Sequence, residues 1–214
     1  MTNIANPEAL PVPAIILAGG RSSRMGSNKA LLPLGGVPML RHIIDRLSPQ
    51  VTSVALNAPP GWSESFGLPL VPDTVSGQAG PIAGIAAGLH HALRQDTGTS
   101  HILTVPSDSP FFPTDLVFRL HTAIKGSDDI VIAVSGGQDH PVFGLWPLSL
   151  SEDMEMFLRT DERRRLRDFF GRHVTREVDF PYVETPAGPL DPFFNVNTPD
   201  DFARAQKFLE HCHP

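Results

Sequence analysis

The sequence predicts an α/β fold with a mostly parallel sheet. Two observations carry that prediction. Short apolar runs alternate with stretches of helical periodicity along most of the chain, which is the pattern of strand–helix–strand units. The first apolar run then opens into a loop rich in glycine and serine, residues 19–28, at the kind of position where open α/β sheets hold ligands. Composition is consistent with this. A chain of 214 residues, 41% hydrophobic and 19% charged, suffices for one sizeable core, and a single domain over residues 1–214 is the expectation.

The elements follow in order. Residues 12–18, with Ala14-Ile15-Ile16-Leu17-Ala18 at their centre, read as a buried strand, and that run is far too short to span a bilayer. Met39, Leu40, Ile43, Ile44 and Leu47 recur at helical spacing, with Pro38 suited to the first turn and Pro49 marking the end. Residues 52–57 and 68–72 read as strands, separated by a loop at 59–67. Residues 81–94 read as a helix of small side chains that holds Gly84 and Gly88. Glycine costs a helix about 1 kcal/mol against alanine. Two of them point to close approach, either to a ligand or to a tightly packed sheet.

Residues 101–106 form the next expected strand, and 107–112 a loop. A helix from Pro113 places Leu116, Val117, Leu120 and Ile124 on one face. Strands are expected at 129–134, 141–146 and 174–180, and helices at 148–160 and 161–170. Residues 181–192 read as a long loop. Thr198-Pro199-Asp200-Asp201 has the marks of a helix start: a capping hydroxyl, proline at the first position and acids in the first turn.

Charge and cysteine usage exclude several classes. The net charge of −6 argues against a general nucleic-acid binder, and one Tyr with two Trp leaves little base-stacking surface. The single cysteine excludes an internal disulfide framework. Residues 1–13 contain no basic side chain and do not read as a targeting peptide, so a cytoplasmic protein that binds neither membrane nor nucleic acid is expected. Residues 1–50 nevertheless carry Arg21, Arg24, Lys29, Arg41 and Arg46 against Glu8 and Asp45. That net of +3 leaves −9 for the rest. A locally basic start suits either a small anionic ligand near residues 20–30 or a solvated basic face.

Three strand ends hold candidate chemistry. The first runs Leu17-Ala18-Gly19-Gly20-Arg21-Ser22-Ser23-Arg24-Met25-Gly26-Ser27-Asn28-Lys29. Glycines let backbone N–H groups meet a phosphate closely, and Arg21, Arg24 and Lys29 add positive charge. The spacing matches neither the ATPase phosphate loop nor the dinucleotide fingerprint. The second is Val105-Pro106-Ser107-Asp108-Ser109-Pro110, where Asp108 sits in a rigid loop. There it serves either as a one-oxygen ligand to Mg²⁺ beside substrate phosphates or as a turn residue. The third is Val71-Pro72-Asp73 with Asn57, an acid and an amide placed to read a base or ribose, or to make turns.

Five motifs in order then carry a resemblance: the first loop through Lys29, Gly80-Pro81-Ile82-Ala83-Gly84-Ile85, Pro106-Ser107-Asp108-Ser109-Pro110, His140-Pro141-Val142-Phe143 and Asn195-Val196-Asn197-Thr198-Pro199. Together they resemble the nucleotidyltransferase family, and within it the molybdenum cofactor guanylyltransferases. The similarity runs from about Ala14 to Phe208. Two positions depart from it. Asn28 stands where the family often has an acid, and Ser107 where it often has cysteine.

The resemblance implies a Rossmann-like three-layer α/β/α fold of the nucleotide-diphospho-sugar transferase kind. Its N-terminal half would bind GTP and its C-terminal half molybdopterin. Leu17, Ala18, Gly19 and Gly20 would meet the nucleotide. Lys29 and Arg24 would neutralise its phosphates, Asn57 and Asp73 would fix guanosine, and Asp108 would hold Mg²⁺. His140, Arg164, Asn195 and Asn197 would line the pterin pocket. Arg163, Arg165 and Arg167 stand near Arg164, as phosphate ligands or as a solvated face. Further partners implied are cofactor-delivery chaperones or apo-molybdoenzymes. A cytidylyltransferase for the same pterin, a sugar-1-phosphate nucleotidyltransferase and a non-catalytic carrier remain alternatives. Gly20, after Leu-Ala-Gly, resembles the guanylyl members.

Overall fold

In the computed structural model, residues 10–19, 29–62, 64, 66–74, 80–95 and 98–211 are described. Gly20, Arg21, Arg24 and Asn28, singled out in the first loop, lie outside them, as does Cys212. The chain runs β1 (Leu10–Leu17), a small hairpin of β2 (Pro33–Leu34) and β3 (Val37–Pro38), α1 (Met39–Leu47), β4 (Val51–Asn57), β5 (Leu70–Val71), α2 (Pro81–Gln95), β6 (His101–Pro106) and α3 (Leu116–Thr122). It continues through β7 (Ile130–Ser135), β8 (Gln138–Pro147), α4 (Ser151–Thr160), α5 (Leu166–Phe170), β9 (Thr175–Asp179), a second hairpin of β10 (Val183–Thr185) and β11 (Gly188–Leu190), and α6 (Pro199–His211).

Seven strands form the central sheet in the order β5-β4-β1-β6-β8-β7-β9. All pairings among β5, β4, β1 and β6 are parallel, as is β7 with β9. Only β8 runs against its neighbours in this sheet. Alternate residues of β1 face opposite layers. Ala14 and Ile16 join a core with α1, α3 and α6, while Ile15 and Leu17 join one with α2, α4 and α5. The fold is therefore the mostly parallel α/β sandwich that the sequence predicts, in the Rossmann-like form that its family resemblance implies. No helix among the described residues is long and apolar enough to cross a membrane.

Local chemistry explains where elements begin and end. In α6, Thr198 Oγ1 accepts the N–H of Asp201 at 3.1 Å, and Asp201 Oδ2 accepts the N–H of Thr198 at 3.0 Å. This is a reciprocal capping box. Gly136 and Gly137, at φ 53° and 75°, make a two-residue turn with both centres left-handed. The turn starts β8 at Gln138, three residues before the expected strand. The helix expected over 161–170 shortens to α5 because Asp161 Oδ1 takes the N–H groups of Arg163 and Arg164, at 2.9 and 2.7 Å. Arg164 itself adopts φ 48°. That side-chain turn competes with a helical start. The loop expected at 181–192 contains the β10–β11 hairpin, the strand expected at 68–72 is only Leu70–Val71, and Ile124 follows α3 rather than belonging to it.

The two glycines of α2 report sheet packing. A β-carbon on Gly88 would stand 2.8 Å from Ile15 Cγ2 and 3.4 Å from Ile102 Cδ1. Alanine gains about 1 kcal/mol of helix propensity over glycine, whereas overpacking costs about 1–3 kcal/mol. Ile15 is β-branched and stiff, so the clash should win. Gly88→Ala is expected to lower stability by about 1 kcal/mol in urea unfolding. An unchanged or raised midpoint would show that α2 shifts freely on the sheet.

Candidate active site

Parallel pairing brings three strand ends to one level. Leu17 is in register with Asn57 on one side and Pro106 on the other. The loops leaving these strands are stitched together. Ala18 N–H donates to Asn57 O at 2.8 Å, and Ser107 N–H donates to Leu17 O at 3.1 Å.

Asn57 is only 2% exposed. Its Nδ2 donates to Val71 O and to Asp73 Oδ1, both at 2.9 Å. A β-carbon on Gly84 would lie 2.5 Å from Asn57 Oδ1, and one on Gly19 would lie 3.3 Å from it. Two glycines thus leave room for one buried amide. Asn57 and Asp73, paired from the sequence only by their nearness to the first loop, are directly bonded.

A cleft of about 430 Å³ opens above these ends. One wall carries Leu17, Ala18, Gly19, Lys29, Pro81 and the loop of Ser107 and Asp108. The other carries Asp139, His140 and Phe143 from β8. Asn195 and Asn197 close one side. Burial pushes the Asp108 carboxyl above its usual range. The Lys29 ammonium, the residue's own backbone N–H and Ser109 pull the other way. Lys29 Nζ donates to Asn197 Oδ1 at 2.8 Å. Asp108 O accepts the N–H of Val196 at 2.8 Å, and Ser109 Oγ donates to Asn195 Oδ1.

On the β8 wall, burial draws the His140 imidazole below its ordinary value, against the pull of Asp191 and Asp139. Asp139 also pairs with Arg167. Arg164 does not line the cleft. Asp139 also lines the cleft, and Ser135 and Asp191 stand behind His140, three positions that the sequence does not single out. The Gly136-Gly137 turn is the signal that places Asp139 and His140 together on a strand.

Among the described residues no group of three or more His, Cys, Asp or Glu side chains is placed to hold a metal. The donor set fits a hard divalent cation held by one carboxylate, Asp108, with substrate oxygens and water completing its shell. The cleft can accept a phosphate-rich ligand on the β1–β6 wall and a second substrate on the β8 wall.

Comparison with known proteins accords with this arrangement. The family described as MobA-like NTP transferase domain matches residues 14–178. The chain is 54% identical over 207 residues to the molybdenum cofactor guanylyltransferase of Rhizobium rhizogenes, with 96% of this chain and 95% of that one covered. It is 50% identical over 213 residues to the same-named protein of Rhizobium meliloti, covering 99% and 97%. Among solved structures, molybdopterin-guanine dinucleotide biosynthesis protein A from Archaeoglobus fulgidus matches with a TM-score of 0.72 at 20% identity, over 93% of this chain and 99% of that one. At that identity the likeness concerns the fold.

The raised Asp108 pKa has a consequence for stability. A carboxyl whose folded pKa exceeds its unfolded value penalises the native state above that range, and the penalty fades as pH falls below it. Asp108→Asn is therefore expected to melt higher than the wild type at neutral pH without ligands, with the difference shrinking towards acid. A lower melting point at neutral pH would mean that the carboxylate is held by stronger partners than Lys29.

Proposed function

The chain belongs to the MobA-like NTP transferase domain family, and we propose that it transfers GMP from GTP to the terminal phosphate of molybdopterin. Pyrophosphate is released and molybdopterin guanine dinucleotide forms, in the cytoplasm. The observation that carries this reading is a single cleft with Lys29 and Asp108 on one wall and His140 on the other. It joins two walls suited to two substrates, in a chain half identical to proteins named for this activity.

In this reading the N-terminal half supplies the nucleotide wall. The backbone of Leu17, Ala18 and Gly19 faces the nucleotide; Gly20 and Arg24, outside the described residues, are assigned to the nucleotide by the family resemblance alone. The Asn57–Asp73 pair sits beneath Gly19 and fixes the guanosine. Lys29 exchanges Asn197 for the phosphates of GTP, a charge-assisted bond in place of a neutral acceptor. Asp108 holds Mg²⁺, which when bound neutralises charge on the α-phosphate and the leaving pyrophosphate. His140, Asn195 and Asn197 border the acceptor.

The nucleophile is a phosphate oxygen, already anionic near neutral pH, so no strong general base is required. It attacks the α-phosphorus of GTP as the bond to pyrophosphate breaks. The protein's work is alignment and charge neutralisation.

Melting experiments test nucleotide choice. At about a hundred times its Kd a ligand adds about 2.7 kcal/mol, which corresponds to a rise of about 5–10 °C for a domain of this size. GTP with Mg²⁺ is expected to give that rise, and CTP or ATP none. A rise with CTP alone would point to the cytidylyl relative. With molybdopterin present, Asp108→Ala should abolish pyrophosphate release, and Lys29→Ala should slow it by about a hundredfold or more. Near-normal release by Asp108→Ala would remove the metal assignment.

A further inference from the structure

A chain of hydrogen bonds lies behind the β8 wall. Ser135 Oγ is 2.7 Å from Asp191 Oδ1 and 2.8 Å from His140 Nε2. Asp191 Oδ1 also accepts the N–H of Phe193 at 2.9 Å. An ionised carboxylate only accepts, so the Ser135 hydroxyl proton goes to Asp191. The serine oxygen must then accept from His140, which requires the proton on Nε2. Neutral imidazole carries a single N–H, and Nδ1 is left as a bare acceptor.

The surroundings hold this order in place. Ser135 is fully buried and cannot meet a substrate, whereas His140 lines the cleft. The direct separation of His140 Nε2 from Asp191 Oδ2 is 3.8 Å, too long for a hydrogen bond, so the serine is the link. The Phe193 ring lies over the imidazole at 4.8 Å and 38°. The charged groups nearest the ring are Asp191 and Asp139, the latter paired with Arg167. A bare ring nitrogen attracts an N–H donor and offers no bond to a phosphate oxygen.

We propose that Asp191 and Ser135 are positioning residues that hold His140 in its Nε2–H tautomer, so that Nδ1 accepts a hydrogen bond from an N–H group of the pterin ring. The proposal deepens, and rests on, the guanylyltransferase reading of the cleft.

Side-chain ¹⁵N NMR of the ligand-free protein, above the titration range of His140, reads the tautomer without any substrate. The wild type is expected to show a protonated Nε2 and a bare Nδ1 at His140, with the signals assigned by their loss in His140→Ala. Ser135→Ala should release both tautomers. In steady-state assays Ser135→Ala and the near-isosteric Asp191→Asn should raise KM for molybdopterin about three- to tenfold, the worth of one hydrogen bond, and leave KM for GTP unchanged. A wild-type proton on Nδ1 would overturn the relay. Equal losses for GTP and molybdopterin in variants that melt like the wild type would also overturn it, because they would reflect general loosening. A wild-type protein that transfers nothing to molybdopterin would instead overturn the functional reading, and with it the substrate half of the proposal.

Discussion

Much of this molecule depends on how closely α2 lies against β1. Helix–sheet spacing in a close-packed interior is set by the side chains between the layers. Here glycine occupies the two contact positions, and the room a β-carbon would need is taken by Ile15 at Gly88 and by Asn57 and Leu17 at Gly84. The same approach therefore does two things. It closes one core over β1, and it walls in the Asn57 amide, which is bonded to Val71 and Asp73 beneath Gly19. With Leu17, Asn57 and Pro106 in register, three loops leave the sheet at a common height.

Charge in the cleft is arranged for ligands rather than for the empty protein. Asp108 is desolvated, and the ammonium that relieves it, Lys29, reaches out to Asn197. A half-buried carboxylate without a firm cation is a cost to the fold. Such costs concentrate where stability yields to function. A divalent cation and a triphosphate would settle both groups at once, one taking the carboxylate and the other the ammonium.

Legibility in the sequence followed locality. The strand ends at Leu17, Asn57 and Pro106, the α1 stripe and the α6 cap were readable because each is encoded within a few neighbouring residues. The Asp108 loop was readable for the same reason. The Asp161 turn was not, since a basic run with helical spacing hides an acid that captures two backbone N–H groups. The relay behind His140 was invisible for a different reason: Ser135 and Asp191 are 56 positions apart and meet only once β7, β8 and the segment after β11 are assembled. The glycines of α2 left ligand contact and sheet packing open, and the answer is packing that also frames the site.

The stretch from Asp191 to Asn197 shows why the two walls behave as one device. Asp191 bonds into the β8 wall through Ser135, Asn195 takes the hydroxyl of Ser109, Val196 holds the carbonyl of Asp108, and Asn197 holds Lys29. Seven residues of chain thus touch both sides of the cleft. The stretch is in turn tied to α6, because Asp201 Oδ2 accepts the N–H groups of both Asn197 and Thr198. That helix is seated in the core through Ala205 and Phe208. In-line attack of one phosphate on another gains most from fixed distance and angle between the substrates. A short strap pinned at its end by a helix cap supplies that fixity. It also explains why residues near the end of the chain belong to a site begun at its first strand.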